Sequence, residues 1–240
     1  MEASKIKGII FDYGGTIDSR GDHWSEVIYS AYLAEGLDIP KDEFRTSYVN
    51  VERLFAREPL VAPSDNFHEL MFKKMHYELA DLAERGIIDN STAARLEHPI
   101  ADRCYSFARG CVTEAADIIR RLAQVYPLVL VSNFYGNVES VITDMGIRSF
   151  FKAIIESAVV GVRKPDPAIF ALGVDALKLR PEEVLVVGDS LRKDIIPAES
   201  LGCQTAWIKG KGWTPEEDAM THHSQIPSLG ALLPMLGLKD

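Results

Sequence analysis

Short apolar runs alternate with helical patterns along most of the chain, and turn-forming residues bound each run. The first run, residues 6–11, stops at a glycine pair and is too short for a buried helix, so it predicts a buried strand. Further strands are predicted at 128–131, near 153–155, at 184–187 and at 206–208, with helical spacing of apolar residues between them. This alternation is typical of an α/β fold with a parallel sheet and helices on both faces.

Residues 20–105 follow a different pattern. Apolar and aromatic residues recur there at helical spacing, beginning at Trp24, and no strand pattern interrupts them. About four helices are therefore predicted as an all-helical insertion after the first strand. The flanking stretches, 1–19 and 106–240, would form the α/β core, in which Thr113 is expected to begin the first helix after the insertion.

Composition and charge narrow the classes of function. The chain of 240 residues is 47% hydrophobic and 25% charged, with a formal net charge of −9. This acidity argues against nucleic-acid and anionic-membrane partners. The cysteines at 104, 111 and 203 lack metal-ligand spacing, which predicts reduced, buried thiols in a reducing compartment. Because neither a membrane-spanning apolar run nor a signal-peptide pattern is present in the sequence, a cytoplasmic location is expected.

Polar side chains suited to phosphate and metal chemistry follow four of the predicted strands. They are Asp12 after the first strand, Ser132 and Asn133 after the second, Lys164 after the third, and Asp189 after the fourth, with Asp194 close behind. Each alone is more often a turn or cap residue. Together they meet at the carboxyl edge of the sheet, where open parallel sheets bind ligands. Facing carboxylates favour a hard cation such as Mg²⁺, and lysine and serine hold phosphate oxygens, so a metal-assisted phosphoryl site is predicted.

Four segments, in order, resemble the motifs of the haloacid dehalogenase-like hydrolase superfamily, in the subclass with a helical cap after the first motif. The segments are 9–18 (IIFDYGGTID), 131–133 (VSN), 164–170 (KPDPAIF) and 187–194 (VGDSLRKD). The resemblance covers essentially the whole chain. It implies a Rossmann-like catalytic core, 1–19 with 106–240, and an all-helical cap, 20–105.

The resemblance also implies a role for each motif residue. Asp12 would be the nucleophile that forms an aspartyl intermediate, and Ser132 and Lys164 would complete the catalytic set by holding the transferring group. Substrate would be bound by Ser132, Asn133, Lys164, Gly15 and Thr16, and Mg²⁺ by Asp12, the carbonyl of Gly14, Asp189 and Asp194. The expected substrate is a phosphorylated or otherwise activated small molecule.

One position departs from the family pattern. The phosphatases carry a second aspartate two residues after the nucleophile, where this chain has Gly14. That aspartate protonates the leaving oxygen and later deprotonates the attacking water, help that is worth about 10²–10⁴ in rate. Asp18 is the nearest alternative, but it is expected to steady the cap hinge. A good leaving group such as an acyl phosphate, or a proton supplied by substrate, His23 or His68, would lessen the loss.

Two kinds of relatives that lack the second aspartate fit poorly. Phosphonoacetaldehyde hydrolases use a cap lysine as a Schiff base, whereas Lys41, Lys73 and Lys74 all lie in polar helical contexts, which predicts no desolvated lysine. The 2-haloacid dehalogenases carry a tyrosine at that position and need no metal. Here Tyr13 lies one position early and the metal carboxylates are retained, so Tyr13 is expected to pack or to gate.

Two hypotheses for the function remain open. The first is a Mg²⁺-dependent hydrolase, which the retained motif residues favour. The second is a degenerate phosphate- and metal-binding protein without efficient turnover, which Gly14 favours. A phosphoacceptor receiver domain ranks last because it lacks a large helical insertion. The cap is expected to close over the site, with aromatic candidates for its lining at 24, 29, 67 and 77. The oligomeric state is not predicted.

Overall fold

Six parallel strands form one sheet at the centre of the computed structural model, which describes residues 2–238. The strands are β1 (Gly8–Phe11), β2 (Leu128–Ser132), β3 (Phe151–Glu156), β4 (Val184–Gly188), β5 (Gln204–Ile208) and β6 (Gln225–Ile226). Their order is β3-β2-β1-β4-β5-β6, and each neighbouring pair is parallel. The α/β prediction is confirmed. The two-residue strand β6 is an addition that the sequence pattern did not indicate.

Helices form the insertion and cover the sheet. Those of the insertion are α1 (Trp24–Ala34), α2 (Lys41–Arg57), α3 (Phe67–Glu84) and the first part of α4 (Asn90–Ala123). Those of the core are α5 (Val138–Asp144), α6 (Ser157–Val160), α7 (Ala168–Leu177), α8 (Ile196–Ser200), α9 (Pro215–Ala219) and α10 (Leu232–Met235). The all-helical character of the insertion is confirmed for the part of the chain that is described.

Both faces of the sheet are buried. Every residue of β1, β2 and β4 is buried, as expected where helices cover both faces. Ile9 and Phe11 belong to one apolar cluster and Ile10 to another, in keeping with the alternation of side chains along a strand. Gly173 lets α7 approach closely, because a Cβ there would lie 2.8 Å from the Cδ1 of Ile10.

The long helix α4 crosses the predicted boundary between insertion and core. Thr113 lies inside it, so the prediction that this residue begins a helix is wrong. Its Oγ donates to the carbonyl of Arg109 at 2.7 Å, which satisfies the hydroxyl within the helix rather than at a cap. The boundary between residues 105 and 106 therefore has no break in secondary structure, and the division into domains stays a prediction.

Cap and core share one continuous apolar cluster. α4 packs against α1 and α3 in the cap and against the short 3-10 helices Arg148–Phe150 and Leu229–Ala231 in the core. Cluster residues of α4 extend from Ala93 in its first turn to Leu122 near its end. All three cysteines are buried and free, as predicted. In the described part of the chain, no helix has the length and apolar character needed to cross a membrane.

Candidate active site

The loop after β1 presents Asp12 at the carboxyl edge of the sheet. The N–H of Asp12 donates to the carbonyl of Val187 at 2.9 Å, which ties this loop to β4. Lys164 Nζ lies 2.6 Å from Asp12 Oδ1. Thr16 Oγ1 lies 3.1 Å from Asp12 Oδ2 and 3.0 Å from Asp189 Oδ1. Both oxygens of Asp12 thus have a donor beside them, which fixes the orientation of its carboxylate.

Lys164 is buried between two carboxylates. Its Nζ is 2.6 Å from Asp12 Oδ1 and 2.6 Å from Asp194 Oδ1. Burial alone would lower the pKa of Lys164, but the two carboxylates outweigh it and raise that pKa to about 12. The side chain of Asn133 brackets the backbone of Lys164, accepting from its N–H at 2.9 Å and donating to its carbonyl at 3.1 Å. Asn133 therefore positions Lys164 and also lines the cavity described below.

Three carboxylates converge beside Lys164. One oxygen each from Asp12, Asp189 and Asp194 lies within 4.8 Å of the others. Burial, together with the neighbouring carboxylates, raises the pKa of Asp189 well above its usual value, and burial also raises that of Asp194. Asp194 lies in a π-helical turn, Leu191–Ile195, a geometry frequent at functional sites.

This motif cluster (Asp12, Lys164, Asp189 and Asp194) fits a hard divalent cation. Three carboxylates against one ammonium leave a formal charge of −2 in a place where all but the half-buried Asp189 are buried. Carboxylate oxygens are the donors that Mg²⁺ prefers. Burial is the main cause of the two raised pKa values and carboxylate repulsion adds to it; a bound cation would offset both by balancing the negative charge.

Ser132, the serine of the second motif, carries a hydroxyl donor without a partner. It ends β2, is 1% exposed, and its hydroxyl has no hydrogen-bond partner. A buried hydroxyl without a partner costs free energy unless a ligand satisfies it. The cavity wall includes the next residue, Asn133, but neither Ser132 nor Thr16.

The two glycines of the first motif differ in their surroundings. Gly15 has φ +96°, and a Cβ there would lie 2.4 Å from an Asp189 oxygen, so only glycine fits. Its N–H donates to Asp18 Oδ1 at 2.7 Å, so this donor is engaged within the loop. Gly14 lines the cavity, and a Cβ there would meet no atom within 4 Å.

Asp18 links the motif loop to the cap, as expected. Its other oxygen accepts from Trp24 Nε1, at the first residue of α1, at 3.0 Å. Burial raises the pKa of Asp18 to about 7. Since both oxygens accept internal hydrogen bonds and Asp18 is not part of the cavity wall, it does not replace the missing aspartate.

A cavity of about 760 Å³ separates the motif cluster from the cap. Of the four aromatic candidates for its lining, Trp24 and Phe67 line it, whereas Tyr29 and Tyr77 do not. Basic side chains line much of it although the whole chain is acidic. Besides Lys164 these are Arg53, Lys74, Arg163, Arg192, Lys193, Lys209 and Lys211. The cavity is therefore suited to an anionic molecule.

A second buried lysine lies on the cap side of the cavity. Lys74 of α3 pairs with Glu52 of α2, and its Nζ is 3.1 Å from the hydroxyl of Tyr135 in the loop after β2. That hydroxyl lies 2.9 Å from each Glu52 oxygen. We call Glu52, Lys74 and Tyr135 the bridge cluster, because they join cap to core. The prediction that no cap lysine is desolvated is wrong for Lys74, whose side chain is 5% exposed.

The charges of the bridge cluster follow from its contacts. Burial alone would lower the pKa of Lys74, but Glu52 and Tyr135 outweigh it and raise that pKa well above its usual value. Burial alone would raise the pKa of Glu52, but Lys74 outweighs it and lowers that pKa. Lys74 is therefore an ammonium, not the free amine that a Schiff base requires. The other two cap lysines pair with carboxylates, Lys41 with Glu26 and Lys73 with Asp65.

The remaining candidates separate clearly. His23 lines the cavity, its Nδ1 accepts from the N–H of Ser25 at 3.2 Å, and burial lowers its pKa to about 4, so the ring is neutral. His68 pairs with Asp102 away from the cavity. Tyr13 is fully buried and packs edge-on against Phe134, so it packs rather than gates.

A buried lysine and three carboxylates thus meet at the carboxyl edge of a parallel sheet, beside a cavity suited to an anionic molecule. Residues 6–202 match the model of the haloacid dehalogenase-like hydrolase family, and the chain belongs to this family.

Curated relatives include named phosphatases. The chain is 28% identical to a phosphoserine phosphatase of Thermus thermophilus over 176 residues, covering 70% of this chain and 66% of that protein. It is 25% identical to a phosphoglycolate phosphatase of Yersinia pseudotuberculosis over 236 residues, covering 97% and 94%. It is 32% identical to the haloacid dehalogenase-like hydrolase domain-containing protein 3 of Mus musculus over 115 residues, which span 47% of this chain and 46% of that protein.

Solved structures share the whole fold. A dehalogenase in an intermediate complex aligns with a TM-score of 0.62 at 18% identity, covering 98% of this chain and 99% of that one. A haloacid dehalogenase-like phosphatase from Thermococcus onnurineus aligns with a TM-score of 0.52 at 20% identity, covering 97% and 98%. At these identities the likeness concerns the fold alone.

Proposed function

We propose that this chain is a Mg²⁺-dependent phosphatase-type hydrolase that uses Asp12 as its nucleophile on a small phosphorylated molecule. The observation that carries the proposal is the motif cluster, in which Lys164 lies 2.6 Å from both Asp12 and Asp194. The named phosphatases among the relatives and the basic cavity lining support it.

The carboxylates of Asp12, Asp189 and Asp194, with the carbonyl of Gly14, would hold the metal. When bound, Mg²⁺ supplies charge neutralisation for the phosphate oxygens. The protein's own contribution is orientation, because Thr16 and Lys164 fix the Asp12 carboxylate beside this site. Lys164 and the unpaired hydroxyl of Ser132 stabilise the negative charge of the transferring group.

The reaction takes two steps. An Asp12 oxygen forms a bond to phosphorus as the bond between phosphorus and the leaving oxygen breaks, and the leaving oxygen keeps the electron pair. Water then attacks phosphorus, which releases phosphate and restores the Asp12 carboxylate. The first step needs a proton when the leaving oxygen is strongly basic, and the second step is helped by removal of a proton from water; Gly14 has no side chain that moves either proton.

The cap side of the cavity does not supply a matched acid. His23 is neutral, with a pKa of about 4, the pKa of Glu52 is lowered, and that of Lys74 is raised well above its usual value. A general acid works best with a pKa near the operating pH. The substrate class that fits is therefore one whose leaving oxygen needs no proton, such as an acyl phosphate.

In the proposed reaction, the leaving group lies beside the bridge cluster. Two of the three donors of Lys74 are engaged by Glu52 and Tyr135, whereas the Glu52 side chain is 33% exposed and lines the cavity. An ionised carboxylate in that place accepts hydrogen bonds from hydroxyl or ammonium groups. A leaving group that carries such a donor is therefore favoured over an apolar one of the same size.

The test is phosphate release from acetyl phosphate and from a panel of phosphomonoesters, with Mg²⁺, for the wild type and Asp12→Asn. We expect the wild type to hydrolyse acetyl phosphate. The rate of phosphate release should be lower by about 10⁴-fold or more in Asp12→Asn, because the nucleophile is gone. Asp175→Asn, at an exposed position of α7, is the matched control and should keep full activity. Equal activity of Asp12→Asn and the wild type would refute the proposal.

A second candidate function rests on Gly14 alone. As a binding protein without turnover, the chain would release no phosphate from any member of the panel. Its melting temperature would nevertheless rise with a phosphorylated ligand and Mg²⁺. Gly14→Asp, for which the structure has space, would then raise phosphatase activity from background.

A further inference from the structure

A second group of metal-ligating side chains lies outside the cavity. Glu199 of α8 faces His222 and His223, which precede β6. His222 Nε2 is 3.5 Å from Glu199 Oε2, and His223 Nε2 is 3.8 Å from Glu199 Oε1. One candidate ligand atom from each residue lies within 4.8 Å of the others.

These separations are close to those of a tetrahedral metal site. With bonds of about 2.0–2.1 Å, two ligand atoms of a tetrahedral zinc ion lie about 3.3 Å apart. The two histidine–glutamate separations, 3.5 Å to Oε2 and 3.8 Å to Oε1, exceed this by a few tenths of an ångström. One ligand atom from each residue lies within 4.8 Å of the others, so side-chain rotation must draw the three atoms together around a bound ion. Solvent can reach the group, because the side chain of His223 is 73% exposed, and water can fill the fourth position.

Hydrogen bonds already orient two of the three ligands. Thr205 Oγ1 donates to Glu199 Oε1 at 2.7 Å. The Nδ1 of His222 lies 2.7 Å from Ser224 Oγ and 3.3 Å from the Ser224 N–H. Nδ1 accepts from the Ser224 N–H in the unliganded tautomer; a metal on Nε2 selects the other tautomer, which gives up this longer bond and whose Nδ1–H donates to Ser224 Oγ. Partners of this kind on the second ring nitrogen and on the carboxylate are typical of metal ligands.

The chemistry and the place differ from those of the motif cluster. Two imidazoles and one carboxylate suit borderline ions such as Zn²⁺, whereas carboxylates alone suit Mg²⁺. Thr205 lies at the start of β5, and Ser224 directly precedes β6. The group therefore lies beside β5 and β6, and none of its three residues lines the cavity that holds Asp12.

We propose that Glu199, His222 and His223 form a second metal site, which binds Zn²⁺ or a similar borderline ion and fastens the segment before β6 to α8. This segment leaves β5 at residue 208, and its residues 209–213 line the active-site cavity. A metal at 222–223 restrains the far end of the same segment. The proposal is independent of the phosphatase proposal.

The test is Zn²⁺ titration of the full chain by calorimetry and by melting temperature, in saturating Mg²⁺ so that the motif cluster is occupied. His223→Ala removes an exposed ligand and is not expected to disturb folding. We expect the wild type to bind Zn²⁺ and gain in melting temperature, and His223→Ala to bind at least about tenfold more weakly. Glu199→Gln should weaken binding in the same way.

The matched control is His76→Ala, another exposed histidine that pairs with a carboxylate, Glu97, away from the group. It should bind Zn²⁺ as the wild type does. With Cu²⁺ as a spectroscopic probe, electron paramagnetic resonance should show two coordinated nitrogens in the wild type and one in His223→Ala. The proposal is overturned if the wild type binds no Zn²⁺ under Mg²⁺, or if His223→Ala binds it as tightly as the wild type or His76→Ala.

Discussion

Two buried lysines line the same cavity, but the balance of charge around them differs. Lys164 lies between two carboxylates with a third close by, so its surroundings keep an excess of negative charge. Lys74 is matched by Glu52, and the rings of Tyr48 and Tyr135 lie 5.4 and 5.3 Å from its Nζ. The motif cluster is thus incomplete without a cation, whereas the bridge cluster is complete in itself. A buried lysine alone does not indicate a phosphate site; the balance of charge around it does.

Replacing each lysine in turn distinguishes the motif cluster from the bridge cluster. Lys164→Met should lower kcat/KM by about 10²–10³ and reduce the free energy of unfolding by about 3–5 kcal/mol, because buried carboxylates lose their partner. Mg²⁺ should restore part of that stability by taking the place of the ammonium charge. Lys74→Met should cost less, about 2 kcal/mol, because Glu52 is one-third exposed, and Mg²⁺ should restore none of it. Urea unfolding with and without Mg²⁺ measures both, and equal rescue of the two variants would contradict the contrast.

Glu78, one turn after Lys74 on α3, gives the cap a pH dependence. Burial raises the pKa of Glu78 from its ordinary 4.5 to about 8, and one of its oxygens has no partner. Between these values the folded state keeps a proton that the unfolded state releases. The free energy of unfolding therefore falls as pH rises from about 4.5 to 8, by at most about 1.4 kcal/mol per pH unit.

Glu78→Gln removes this contribution. Urea unfolding between pH 5 and 9 should give a flatter profile for the variant, and the variant should be the more stable protein at pH 8. Its amide keeps the hydrogen bond with the Tyr32 hydroxyl, which is 3.3 Å from Glu78 Oε2. Parallel profiles for the two proteins would show that Glu78 is not protonated in the folded state.

Glu52→Gln should change selectivity with little effect on the chemical step. We expect the preference for a hydroxyl-bearing acyl phosphate, lactoyl phosphate, over propionyl phosphate, in kcat/KM, to fall by about tenfold, because a neutral amide accepts hydrogen bonds more weakly than a carboxylate. Glu58→Gln, at an exposed position directly after α2, is the control. An unchanged ratio would remove Glu52 from recognition of the leaving group.

The two clusters also differ in how far the sequence predicts them. Asp12 and Asp189 directly follow β1 and β4, so a correct strand pattern already places them on one sheet edge. Lys164 comes later, after β3 and the short helix α6. Glu52 and Lys74 lie on separate helices, and Tyr135 lies on a core loop. Their meeting depends on how α2 and α3 pack, which the spacing of apolar residues does not specify. The polar neighbours of Lys74 in sequence describe the exposed face of α3, not the face that carries Lys74.

The missed helix continuity has a similar cause. Thr113 has the residue type of a cap, but its hydroxyl bonds to a carbonyl of the same helix, and tertiary packing on both halves of α4 holds the helix together. The edge strand β6 has two residues, too few for an alternating pattern. In each case the decisive contacts are distant in sequence.

The role of Gly14 is tested by the dependence of rate on the leaving group. Measuring kcat/KM for aryl phosphates of increasing leaving-group pKa, and for acetyl phosphate, in the wild type and Gly14→Asp gives that dependence. We predict that kcat/KM of the wild type falls steeply as the pKa of the leaving group rises. The variant, whose new side chain has open space, should gain about 10²–10⁴ on the poorest leaving groups and almost nothing on acetyl phosphate. The same slope in both proteins, or an equal gain on every substrate, would contradict the view that Gly14 removes the general acid.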